Sequence, residues 1–225
     1  MGWFSDFASG VGSFISGAGS LISSAISSLG GLASIAGNFL KVVSPYLGIV
    51  TNIIGVIGNL LGVKKDDENL EDIGAKAMKS DKKPENFDSY NDYIKHLREN
   101  IKLDKEEMEN ASKELKLART AVGATTVSKG IEEKKEMEIS VDTWVAMAKA
   151  GLDGKIDVVN LILDTFKDKN EQKDFANYVD GKAGFKEEKI VTDKLTDIYK
   201  SLEPNASDID IEKKVMDMDK SKWYF

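Results

Sequence analysis

The sequence predicts an all-α protein in two unlike parts: Gly/Ser/Ala-rich, apolar, membrane-active N-terminal helices, then a charged helical-bundle domain. Three observations predict this. Residues 64–225 hold 30 of the 31 basic and 37 of the 38 acidic residues, so the N-terminal part is nearly free of charge. Large apolar residues recur in both parts at steps of three and four, the period of a helix. No segment carries the run of alternating β-branched and aromatic residues that marks a strand. The expected boundaries are a membrane-inserting region at 1–63, a charged linker at 64–88 and a soluble helical domain at 89–225.

The first element is an amphipathic stretch over residues 3–40. Phe7 to Leu40 is uncharged, and 21 of its 34 residues are Gly, Ala or Ser. Phe14, Ile22, Ile26, Leu29, Leu32, Ile35 and Phe39 mark its bulky side, and serine and glycine fill the other. Each glycine lowers helix stability by about 1 kcal/mol relative to alanine. In a bilayer, however, backbone groups must pair internally, which enforces the helix. Trp3, Phe4 and Phe7 form an aromatic cluster suited to a membrane interface. Gly30-Gly31 is the expected break, allowing a hairpin of 11–29 against 32–63 or a surface-lying helix followed by one span.

The second element, 42–63, is the transmembrane candidate. Its 22 residues are bracketed by Lys41 and the Lys64-Lys65 pair, which serve as further interface anchors. Such a length matches a hydrocarbon core of about 30 Å. Gly48, Asn52, Gly55, Asn59 and Gly62 recur at spacings of four, three, four and three, a stripe that drifts only about 20° per heptad. Aliphatic residues cover the remaining surface. In water an uncharged stripe of this kind would face solvent. In lipid it would face another helix, because small residues let backbones approach and asparagines pair. This glycine-zipper pattern is the expected helix–helix seam or pore lining.

Residues 66–88 are charged, contain Pro84 and show no periodicity. Ser89 with Asp92 resembles a capping box and opens a long helix carrying Tyr90, Ile94, Leu97, Ile101, Leu115, Ala118 and Val122. Gly123 to Thr126 reads as its end. A second helix is expected over about 129–151, with Trp144 and Val145 on one side, and the longest pair is expected to pack antiparallel. Asp153-Gly154 and Asp180-Gly181 read as turns. Shorter helices follow over 156–166, 171–179, 186–202 and 207–219.

Little here points to catalysis. His96 is the only histidine and there is no cysteine, so thiolate sites and disulfides are excluded. Neither a nucleophile-elbow nor a zinc-protease motif accompanies it. Aligning Gly154 with the glycine of a calcium loop puts Lys149 and Asn160 at ligand positions, which does not hold calcium. The glycine-rich stretch lacks the Gly-Lys-Ser/Thr ending of a phosphate loop. No enzyme, cofactor or metal is therefore expected. A net charge of −7 argues against nucleic acid as the main ligand. A cleaved signal is not expected either, since Asp6 stands where basic residues belong.

An apolar inserting segment joined to a charged helical domain resembles, in architecture, small channel-forming bacterial toxins. The expectation is a membrane-inserting, pore-forming or permeabilising protein, a toxin or effector delivered by a secretion machine without a cleaved signal. Its expected partners are the lipid bilayer, further copies of itself, and a delivery chaperone or immunity protein. The alternatives are a structural or membrane-penetrating component of a virion or injection apparatus, or a resident membrane anchor displaying a helical interaction domain.

Overall fold

A computed structural model describes the backbone of residues 3–219 and the side chains of residues 13–219. Among the described residues there are thirteen α-helices and no strand. The chain divides into two units: residues 1–47 with 58–134, and residues 48–57 with 135–225.

The first unit begins with α1 (Trp3–Ser24), a single helical turn α2 (Ile26–Leu29) and α3 (Leu32–Val43). The helix breaks at Gly30, whose φ of +55° and ψ of −135° suit glycine alone. After this break α3 folds back on α1. Ala18, Ile22, Leu29, Leu32, Ala36, Phe39, Leu40 and Val43 are buried, while Ile26 stays 60% exposed. A 3₁₀ turn, Ser44–Tyr46, holds Pro45 and leads into α4 (Leu47–Leu60). Gly62, at φ +69°, stops α4: the Val63 amide donates to the Gly58 carbonyl and the Gly62 amide to the Asn59 carbonyl, the pattern of a Schellman cap.

Residues 64–88, expected as a linker, contain a helix. In α5 (Leu70–Lys79), Leu70, Ile73, Gly74 and Ala77 are buried at helical spacing, and the Asn69 side chain caps its start. The many charges on its outer face hide this short inner stripe in the sequence. Next come α6 (Tyr90–Asn100) and a short α7 (Lys105–Glu109), each with its own N-cap, Ser89 and Asp104. The expected long helix from 89 is thus interrupted at 101–104. The helix α8 (Lys113–Lys135) then runs straight through Gly123, where an end was expected. Its residues 121–128 are all buried, so it has no polar face to show periodicity. Thr125 and Thr126 satisfy their buried hydroxyls on the carbonyls four residues back. Glu136, at φ +52°, follows the last residue of α8.

Glycine lets α5 cross α8 at backbone contact. A Cβ on Gly74 would lie 1.7 Å from the Arg119 carbonyl oxygen, and one on Gly123 would lie 1.8 Å from that of Leu70. Nearby, Arg98 clamps Glu68 through two bonds of 2.7 and 2.8 Å. Burial pushes the Glu68 carboxyl up, but the Arg98 guanidinium and the Lys65 amide outweigh it and hold the group below the usual range.

The second unit contains α9 (Val141–Lys149), α10 (Ile156–Thr165), α11 (Lys169–Val179), α12 (Phe185–Leu202) and α13 (Asp208–Met216). Here α9 packs on α11, and α12 packs on α10, α11 and α13. Trp144, Phe166, Phe175, Val191 and Leu195 fill its interior. Gln172 is fully buried. Its carbonyl accepts from the Ser140 amide and the Thr143 hydroxyl, and its amide donates to the Glu138 and Lys167 carbonyls. The expected helices at 156–166, 171–179, 186–202 and 207–219 all appear within a few residues of those bounds.

Candidate functional site

Among the described residues one helix is long and apolar enough to cross a membrane. It runs from Leu32 to Leu60, 29 residues, and only 33% of its most apolar window is buried. At ~1.5 Å per residue it is about 44 Å long, more than a hydrocarbon core requires. Pro45 lies in the middle of this run, at the 3₁₀ turn.

Helix α4 presents its aliphatic and polar sides differently. Val50, Ile53, Ile54 and Ile57 are fully buried, whereas Ile49 is 37% and Leu60 54% exposed. Of the five stripe residues, Gly48 has nothing within 4 Å of where a Cβ would stand. Asn52 is exposed, and its amide donates to the Asp153 carboxylate at 2.6 Å. Gly55 and Asn59 are half-buried. The Asn59 side-chain oxygen is buried without a hydrogen-bond partner. Gly62 stands beyond the helix end as its cap. Gly58 of α4, outside the stripe, packs closely: an added Cβ there would meet Val127 at 2.7 Å.

The anchors fare unequally. Lys41 and Lys65 are exposed. Lys64 is buried, its ammonium donating to the Lys65 and Glu68 carbonyls at 2.8 and 2.6 Å. Burial holds it below the usual lysine range, against the pull of Glu68, Asp66 and Asp67. In this form Lys64 closes a loop rather than reaching outward. The side chains of Trp3, Phe4 and Phe7, and the Trp223-Tyr224-Phe225 terminus, lie outside the described residues.

His96 is half-buried, 5.0 Å from the Phe87 ring, and close to the Asn100 amide. Among the described residues no three His, Cys, Asp or Glu side chains gather to hold a metal. One cleft of the second unit is lined by Asp142, Lys149, Lys169, Lys173 and Asp180. Its charges are largely paired: Lys149 donates to Asp180 at 2.6 Å, and Lys182 donates to the other oxygen at 3.1 Å.

Sequence reasoning missed one group at the hairpin. The Glu85 carboxylate, from the 3₁₀ turn Pro84–Asn86, accepts from the Gly31 amide at 2.6 Å. The Gly30-Gly31 pair signalled the break, but nothing local signals a partner 54 positions away.

No family model, curated protein or solved structure matches this chain.

Proposed function

We propose that the protein inserts into membranes and permeabilises them, as a toxin or effector that travels in a folded form. The observation carrying this reading is the helix Leu32–Leu60. It spans 29 residues with Lys41 as its one charge, and two-thirds of its most apolar window lies outside the buried set. A core helix of this apolarity would be expected to bury most of itself. In lipid, the exposed Ile49 and Leu60 would gain about 0.3–0.6 kcal/mol each near the centre. The stripe Gly48, Asn52, Gly55 and Asn59 would then supply close packing between copies, with asparagines lining a weakly selective path. A delivery chaperone or immunity protein would cover or contact the same helix.

A second reading is that α4 is permanently a core helix. The complete burial of Val50, Ile53, Ile54 and Ile57 favours it. One substitution separates the two. Ile49→Asp alters an exposed site, so the folded protein should keep its stability. In a bilayer the aspartate costs about 2.5–3.5 kcal/mol near the centre. Parent protein should release dye from vesicles and Ile49→Asp should not. A parent that releases no dye, with residues 32–60 protease-resistant, would establish the core-helix reading instead.

A further inference from the structure

The hairpin that carries the apolar helix turns at a single point, and that point is tied down. Gly30 and Gly31 leave a notch where side chains would otherwise stand. A Cβ on Gly30 would meet Glu85 Oε2 at 2.3 Å, and one on Gly31 would meet Oε1 at 3.0 Å. The Glu85 carboxylate fills this notch and accepts from the Gly31 amide at 2.6 Å. Helix α3 has no acidic residue in its own first turn and no side-chain cap. Its positive end is therefore neutralised from a distance, by a charge-assisted bond. Three residues before Gly31, the Ser28 hydroxyl donates to the Met78 carbonyl at 2.9 Å. Met78 lies in the last turn of α5, whose carbonyls lack helical partners. Two bonds thus join the hairpin tip to the charged segment 78–85, across 50 and 54 positions of sequence.

We propose that this clasp is an autoinhibitory latch: the Glu85 and Ser28 contacts hold the hairpin tip down, and their opening frees the apolar helices for a bilayer. The inference rests on the membrane reading above and names its regulation. Three features suit the role. The Glu85 contact is exposed, so water can replace it and the latch can open without leaving a buried charge. The hairpin contributes only an amide and a hydroxyl, so nothing charged leaves with it. Ile26, beside the tip and 60% exposed, is an apolar first contact for lipid. Holding the tip also holds α3, which continues into α4 through Ser44–Tyr46.

The test uses the full chain with Glu85→Ala, Glu85→Gln and Ser28→Ala. Hydrogen exchange is followed at residues 31–36, and dye release from vesicles of equal phosphatidylcholine and phosphatidylglycerol is timed. Glu85→Ala should speed exchange there by about tenfold or more, as expected for loss of a charged hydrogen bond. It should also release dye several-fold faster to the same final extent. Glu85→Gln keeps an acceptor oxygen and should fall between Glu85→Ala and the parent. If Glu85→Ala loses its cooperative melt, Ser28→Ala, which leaves the α3 cap in place, carries the same comparison. A folded Glu85→Ala that releases dye at the parent's rate overturns the latch, whatever its exchange. If parent and variants all release no dye, the membrane reading falls and the latch with it. Faster exchange would then mark Glu85 as a helix cap and nothing more.

Discussion

Two glycines of the charged region and three of the apolar helices do opposite things. At the crossing of α5 and α8, Gly74 and Gly123 stand where any Cβ would lie within 2 Å of a carbonyl oxygen. In the apolar helices, Gly19, Gly37 and Gly48 have nothing within 4 Å of the same position. The first pair is consumed by the fold. The second set costs helix stability, about 1 kcal/mol each relative to alanine, and this conformation gives no packing in return. A small residue that no neighbour requires in one conformation is a reason to look for a second conformation, in which another backbone lies against it.

The largest expected effect breaks the consumed pair. Gly123→Ala should destabilise by about 3 kcal/mol or more, because the helices can separate only by losing contact along their length. Gly74→Ala should do the same. Urea unfolding followed by circular dichroism measures both. A midpoint like the parent's would mean that α5 does not cross α8 at this distance.

The next effect concerns charge. Glu68 and Asp180 are both held below the usual carboxylate range. For Asp180, burial raises the pKa, but the hydrogen bonds from Lys149 and Lys182 prevail. A group depressed in the folded state adds stability above its unfolded pKa and loses that contribution as pH falls through the folded value. Stability should therefore decline below the ordinary carboxylate values of about 4. Glu68→Gln and Asp180→Asn should each lower stability at neutral pH and flatten the decline in acid. Melting followed from pH 7 to 2 checks this; a decline as steep in both variants as in the parent would assign it to other carboxylates.

How much of this the sequence discloses depends on the range of the forces involved. The C-terminal helices were legible because they have an apolar side and local turn signals, as at Asp153-Gly154 and Asp180-Gly181. Helix α8 was not, because its residues 121–128 are buried all round and small, so Gly123-Ala124-Thr125-Thr126 mimics a loop. Helix α5 was masked by the charges between Asp66 and Asp88. The stripe from Gly48 to Gly62 was legible as spacing. Its surroundings were not: Gly62 is a cap, and Ile54, one of the aliphatic residues beside the stripe, is fully buried in this form. Glu85 could not be read at all, since its target lies 54 residues away and no pattern encodes it.

The smallest expected effect sharpens the comparison most. Gly48→Ala should raise the stability of the folded form, by about 1 kcal/mol at most, since the added methyl meets nothing and the helix gains propensity. Gly48→Leu should also fold, for the same reason. In a membrane the two should diverge from the parent in the other direction. If Gly48 sits in a seam between helices, leucine there separates the backbones, and cross-linked oligomers and conductance should be lost while vesicle flotation persists. Stability in water and assembly in lipid would then move oppositely at one position, which a residue serving a single conformation cannot produce. A Gly48→Leu protein that folds, floats with vesicles and conducts like the parent would show that the open space at Gly48 is never filled, and that the stripe is merely the solvent side of a helix.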